Sequence, residues 1–80
     1  VFYAYIIKSV EHEFFYKGNC QNLEKRLEQH NSALTESIRP YVPFWLAYFE
    51  EYETEEEVIL REKYFKSLAG RRFLKKSIVP

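Results

Sequence analysis

Residues 2–7 alternate between two faces, Phe2, Ala4 and Ile6 on one side and Tyr3, Tyr5 and Ile7 on the other. That is the two-residue period of a strand. Residues 13–18 repeat it, with Phe14, Tyr16 and Gly18 opposed to Phe15 and Lys17. The polar run Ser9 to His12 between them has a common hairpin length. If Lys8 pairs with Glu13, Tyr5 lies directly opposite Tyr16, and opposed residues of an antiparallel pair share a face. The period then lengthens. Asn22 suits the N-cap of a helix over 23–31, with Glu24 in its first turn and Leu23 and Leu27 on its buried stripe. Arg26 and His30, four apart, share one flank of that stripe. As the last basic group of the helix, His30 is expected to favour the C-terminal end as a cation.

Residues 32–44 include Pro40 and Pro43 and predict an irregular connection. Its length is near the upper end (about 12–15 residues) of what compact domains leave unstructured. Trp45 to Tyr52 predicts a third strand, with Trp45, Ala47 and Phe49 on one face and Leu46 and Tyr48 on the other. Thr54, followed three residues later by Glu57, is a capping box that opens a helix running to Ala69. Gly70 is expected to end it, with a short helix or turn over 71–78. The order β-β-α-β-α-α predicts an α/β (α+β) fold, a three-stranded antiparallel sheet flanked by helices. Eighty residues make one domain, 1–80, with one core.

One residue breaks the apolar pattern. On the helix from Thr54, Val58, Phe65 and Ala69 share a face, and Glu62 falls in their midst. Taking a lone carboxylate out of water costs several kcal/mol unless a cation or strong donors meet it. A bound metal ion accounts for it. So does a helix rotated until Glu62 reaches the rim and pairs with Lys66 one turn on.

Composition narrows the chemistry. The chain has no Asp, so any hard metal must be held by glutamate, backbone or ligand oxygens. A formal charge of zero argues against a nonspecific nucleic-acid coat. The charges are nevertheless segregated: six Glu lie between Glu50 and Glu57, and seven bases against Glu62 alone lie between Arg61 and Lys76. A lone Cys20 forms no internal disulfide and suits a reducing, cytoplasmic compartment. No run approaches the roughly 18 apolar residues of a membrane span, and no charged-then-apolar leader stands out. Cys20 and His30 as a hydrolase dyad would be separated by a whole helix, roughly 12–15 Å, too far for a hydrogen bond.

Taken together, two tyrosines on one sheet face, Arg26 and His30 on one helix flank, and Glu62 suit phosphodiester hydrolysis. That reaction needs a base for water, charge to meet the transition state, and stabilisation of the leaving oxyanion. Phenols, imidazole, guanidinium and a glutamate-held divalent ion supply those roles. The expectation is a shared pocket, with all five groups close together.

The order of these residues resembles the GIY-YIG nuclease superfamily, and within it the small stand-alone bacterial proteins of that domain. The first half-motif stands as Tyr3-Ala4-Tyr5-Ile6-Ile7-Lys8-Ser9 and the second as Phe15-Tyr16-Lys17-Gly18. Asn22 to Asn31 carries the Arg-x-x-x-His of the family, Trp45 to Tyr48 a Trp-Leu-Ala-Tyr strand, and Leu60-Arg61-Glu62-Lys63 the metal-binding Glu. The resemblance implies a metal-dependent endonuclease that hydrolyses DNA phosphodiester bonds with one divalent cation, Mg²⁺ or Mn²⁺. Glu62 would hold the metal on the leaving-group side. Tyr5, helped by His30, would act as general base or position the water. Tyr16 would contact the scissile phosphate or the water, and Arg26 would stabilise transition-state charge. Gly18 would let the backbone come close to the site, and Lys17, Gly18, Arg39, Arg61 and Lys63 are the candidate substrate contacts. Ala4, Lys17 and Asn19-Cys20 depart from the family pattern without removing a side chain assigned a role.

The competing reading is a catalytically inactive nucleic-acid-binding module of the same fold, marked by salt-dependent affinity without turnover. The aromatic surplus also permits a homodimer. Sequence-specific DNA interfaces bury about 1,000–2,500 Å² of protein, more than so small a domain readily offers. Low sequence specificity is therefore expected, with branched or damaged DNA among the candidate substrates. Cleavage rates compared on several unrelated duplexes should be equal; one strongly preferred site would overturn this.

Overall fold

The computed structural model describes residues 1–32 and 36–77. Its elements are β1 (Phe2–Ser9), β2 (Phe15–Cys20), α1 (Leu23–Asn31), a 3-10 helix (Glu36–Tyr41), β3 (Phe44–Tyr52), α2 (Glu55–Lys66) and α3 (Leu68–Ser77). The sheet runs β2-β1-β3, and β1 pairs antiparallel with both neighbours. Being central and apolar on both faces, β1 is covered on both. Ala4 and Ile6 pack with Val58, Phe65 and Leu74 under α2 and α3. Tyr5 and Ile7 pack with Leu23, Leu27, Ile38 and Phe44 under α1 and the 3-10 helix. The chain thus has two cores, one on each side of a sheet, where a single core was expected. The segment 32–44, expected to be irregular, holds the 3-10 helix, and Ile38 anchors it.

The hairpin register differs from the expected one. Lys8 pairs with Phe15 rather than Glu13, and Tyr5 faces Gly18 rather than Tyr16. The cause is a longer loop built around a buried serine. Ser9 N donates to Phe14 O at 2.9 Å, and Ser9 Oγ accepts from His12 N at 3.2 Å while donating to Tyr41 O at 2.6 Å. Because the slip is two residues, every side chain keeps its face. Tyr16 lies opposite Ile7, diagonal to Tyr5 on the same face. A one-residue slip would have separated them.

The third strand corrects the expected alternation as well. Ile6 pairs with Tyr48 but Ile7 with Leu46, so Ala47 is the extra residue of a bulge. Leu46 therefore turns to the α1 side and Tyr48 to the α2 side, not to one face.

The long helix is two helices. Thr54 caps α2 as the capping box requires, its Oγ1 accepting from Glu57 N at 3.2 Å. The helix stops at Lys66 because Ser67 is extended (φ −80, ψ 170), and Ser67 Oγ accepts from Gly70 N at 3.1 Å. Gly70 is thus in the first turn of α3 instead of ending α2, and Ala69 is exposed. A Cβ on Gly70 would run into the Tyr64 carbonyl oxygen and sit 2.6 Å from Phe65 Cα. The glycine provides room for one helix to turn tightly onto another. Ile78 lies outside the described residues.

Gly70→Ala should cost about 1–3 kcal/mol, the usual penalty of forcing extra volume into packed structure. Urea denaturation checks this against Ala69→Gly on the exposed face, which should cost about 1 kcal/mol or less. A Gly70→Ala midpoint equal to wild type would mean that α3 does not cross α2 as described.

Candidate active site

The side-chain cluster begins with Tyr5, 2% exposed in the central strand. Its ring lies over the backbone of Gly18 on the neighbouring strand; a Cβ there would be 2.5 Å from Tyr5 Oη. Only glycine leaves that space. Burial raises the Tyr5 pKa to about 12, opposed by the hydrogen bond from Arg26. The hydroxyl has two partners: Arg26 Nε donates to Tyr5 Oη at 3.3 Å, and His30 Nε2 lies 2.9 Å away. Arg26 and His30 reach it together because they stand one turn apart on α1.

His30 is buried, where a cationic helix terminus was expected. Burial first, and the Arg26 charge second, hold its pKa below the ordinary 6.5. The neutral imidazole can accept a proton from the Tyr5 hydroxyl at Nε2, which assigns its own proton to Nδ1. Tyr16 completes the cluster, its ring 4.7 Å from that of His30 at 56°. It is only half-buried, the more open of the two phenols. The exposed guanidinium of Arg26 forms the outer edge, and Gln29 Oε1 accepts from it at 3.3 Å. Tyr5, Tyr16, Arg26 and His30 are therefore together.

Glu62 is not among them. Its helix packs on the opposite face of the sheet, so the expected five-membered pocket is divided by β2. Asn19 Nδ2 donates to Glu62 Oε1 at 2.5 Å, and Lys66 Nζ to Oε2 at 2.8 Å. The rim pairing with Lys66 is thus present, and the side chain is 20% exposed. Asn19 pairs with Ala4 across the ladder and so shares the α2 side, whereas Gly18, the preceding residue, faces Tyr5. Glu62 and Tyr5 are reached from adjacent residues of one edge strand, on its two sides.

Among the described residues no three His, Cys or Glu side chains gather as a metal-binding group. A hard cation needs no such group: Mg²⁺ commonly takes one carboxylate and completes its shell with water and phosphate oxygens. Glu62 would supply the carboxylate, with the Asn19 side chain beside it. In this sense the residues fit.

The other candidate contacts divide. Lys17 is half-buried and faces α3 rather than solvent, with Arg71 and Lys66 nearby. Arg39 and Lys63 are exposed, on the 3-10 helix and α2 respectively. Arg61 is committed elsewhere. Its Nε and Nη2 donate to Glu50 at 2.7 and 3.0 Å, and its guanidinium lies 4.5 Å from the Tyr64 ring centroid and 5.4 Å from that of Phe73. Burial tends to raise the Glu50 pKa, but Arg61, Tyr48 and Tyr52 together hold it below the ordinary carboxylate value. Cys20, half-buried, has its thiol pKa pushed up by burial, the reverse of what a nucleophile needs.

Three contributors escaped the sequence reading. Asn19 holds Glu62, Glu50 holds Arg61, and Asn31 pins the end of α1 by accepting from Phe44 N at 2.6 Å and donating to Phe44 O at 3.1 Å. All of these bonds span more than ten residues, so no local spacing announces them.

Comparison with known proteins finds matches over most of the chain. The profile described as the GIY-YIG catalytic domain matches residues 1–76. A UPF0213 protein of Clostridium perfringens is 38% identical over 73 residues, covering 90% of this chain and 77% of its own length. A UPF0213 protein of Bacillus licheniformis is 35% identical over 70 residues, covering 86% of this chain and 71% of its own. No solved structure matches the chain.

The lowered pKa of His30 makes stability depend on pH. Between the folded pKa and the unfolded value of 6.5 the unfolded chain binds more protons, so stability is complete above 6.5 and declines as pH falls toward the folded pKa. Urea midpoints taken from pH 7 downward should fall in wild type and fall less steeply in His30→Gln. Equal slopes, or a His30 titration by NMR above 6.5, would show that the imidazole is not held neutral.

Proposed function

This chain belongs to the GIY-YIG catalytic domain family, and on that footing we propose that it is a metal-dependent endonuclease hydrolysing DNA phosphodiester bonds. The observation that carries the reading is the Arg26–Tyr5–His30 chain, with Tyr16 against His30 and Glu62 held by Asn19, the residue after Gly18. Beyond seating α1, a buried phenol hydrogen-bonded to a neutral imidazole offers a path for a proton, which binding alone does not use.

The roles follow from exposure and protonation. Arg26, exposed and cationic at any relevant pH, meets the charge that builds on the phosphate oxygens in the transition state. Tyr16, the more open phenol, orients the attacking water or the scissile phosphate. Tyr5, with its pKa near 12, is a poor base alone. Its hydroxyl can pass a proton to His30 Nε2, so the pair takes up the proton that water loses. Tyr5 also fixes the Arg26 guanidinium by accepting from Nε. Glu62 would hold Mg²⁺ or Mn²⁺. Such an ion supplies Lewis-acid charge at the leaving oxygen. Lys66 and Asn19 each donate to one Glu62 oxygen, so a metal there would compete with the Lys66 ammonium for the carboxylate.

That engagement of Glu62 is also what favours the second reading, a nucleic-acid-binding module without turnover. The two are separated by comparing wild type with Glu62→Ala and Tyr5→Phe on plasmid, single-stranded and branched DNA, with and without Mg²⁺ or Mn²⁺. Both variants should lose nicking by about 10²-fold or more while keeping wild-type circular dichroism, the scale seen when a transition-state charge partner is removed. Metal-independent or equal cleavage by all three would overturn the nuclease reading. DNA affinity without turnover would establish the binding module.

A further inference from the structure

A cleft of about 300 Å³ opens on the other face of the sheet, between the start of β2 and α3. Its floor is apolar (Phe14, Phe15 and Leu74), and three cations, Lys17, Arg71 and Lys75, line it. Glu13 stands at the cleft too, but it is exposed and lies 3.9 Å from Lys8. Among the described residues Lys17, Arg71 and Lys75 form no ion pair. Gathering like charges over an apolar floor costs stability unless an anion is to be met there. The Lys17 ammonium registers the strain: burial, then Arg71, then Lys66 lower its pKa.

The position of the cleft gives it meaning. Lys17 is the residue before Gly18 and two before Asn19, which holds Glu62. At about 3.3 Å per residue, Lys17 is roughly 7 Å along the strand from Asn19. β2 is an edge strand, so a flexible polyanion can cross it from the Arg26 side to the α3 side without entering the protein.

We propose that the Lys17–Arg71–Lys75 cleft binds a backbone phosphate of the DNA strand being cut, so that the strand crosses the β2 edge at Gly18 and Asn19 with Arg26 on one side and this cleft on the other. The inference rests on the nuclease reading for the identity of the strand. Arg71 and Lys75 lie one turn apart on α3, which aims both at the same anion. The apolar floor suits the carbon face of the sugar.

The test is fluorescence anisotropy with a fluorescein-labelled DNA oligonucleotide in EDTA, where binding proceeds without cleavage, over a series of KCl concentrations. Arg71→Ala and Lys17→Ala should each weaken binding several-fold and lower the slope of log K against log salt by about 0.7–0.9. Arg72→Ala removes the same charge from the same helix outside the cleft and should leave both unchanged, while Arg71→Lys should restore most of the affinity. Circular dichroism checks the fold, and exposed Arg71 gives a readout even if half-buried Lys17 does not tolerate change. Equal effects of Arg71→Ala and Arg72→Ala, or none from either, would overturn the proposal. So would inorganic phosphate titrating into the cleft while Arg71→Ala left DNA binding intact, which would assign the site to a free anion. Arg71-dependent binding without Mg²⁺-dependent cleavage would fail the nuclease reading alone; cleavage with Arg71-independent binding would fail the phosphate site alone.

Discussion

A phenol placed in the central strand of a sheet covered on both sides has to find its hydrogen bonds inside the protein. Leaving the Tyr5 hydroxyl unpaired would cost about 1–3 kcal/mol, a large share of what so small a domain has in reserve. The solution fixes much else. His30 must be buried and neutral, Arg26 must lie one turn before it, and α1 must pack at the angle that brings both to one oxygen. The neighbouring strand must present a bare backbone, which Gly18 does. Site and fold are therefore not separable on this face. The groups proposed for chemistry are the groups that seat the helix.

On the other face a second knot does comparable work. Arg61 grips Glu50 of β3 through two nitrogens while its guanidinium stacks among Tyr64, Phe65 and Phe73. Bidentate geometry fixes direction as well as distance. It thereby sets the rotation of α2 about its axis. Glu62, one residue on and about 100° round, is turned away from β3 toward β2, where Asn19 meets it. Arg61 so acts on Glu62 without touching it, by deciding which strand the carboxylate addresses. The acidic run 50–57 and the basic run 61–76 are mostly solvated, but this one pair across them is structural.

What the sequence made legible was whatever depends on short spacing. The two-residue alternation placed Tyr5 and Tyr16 on one face even though the register was two residues off, because parity survives such a slip. The capping roles of Asn22 and Thr54 and the i, i+4 pairs Arg26–His30 and Glu62–Lys66 were readable for the same reason. What stayed hidden depends on tertiary contact. The bulge at Ala47 exchanges the faces of β3 with no local signal. The break at Ser67 was masked by apolar periodicity that continued across it. That α1 and α2 lie on opposite sides of the sheet could not be read from helix phase, since phase says which residues face a sheet and not which face they meet. The fold was thus more legible than the site, whose division by β2 is a matter of layers.

Asn31 gives the molecule a property that its short side chain does not advertise. By closing two hydrogen bonds on the backbone of Phe44 it joins the end of α1 to the beginning of β3. The chain between these residues is thereby reduced to a closed excursion whose ends are already fixed. The entropy of closing such an excursion grows only slowly with its length, about 0.6 kcal/mol per doubling. Changes of length away from Ile38 and Tyr41, which are tied to the core, would cost little while His30, one residue before the clasp, keeps its place.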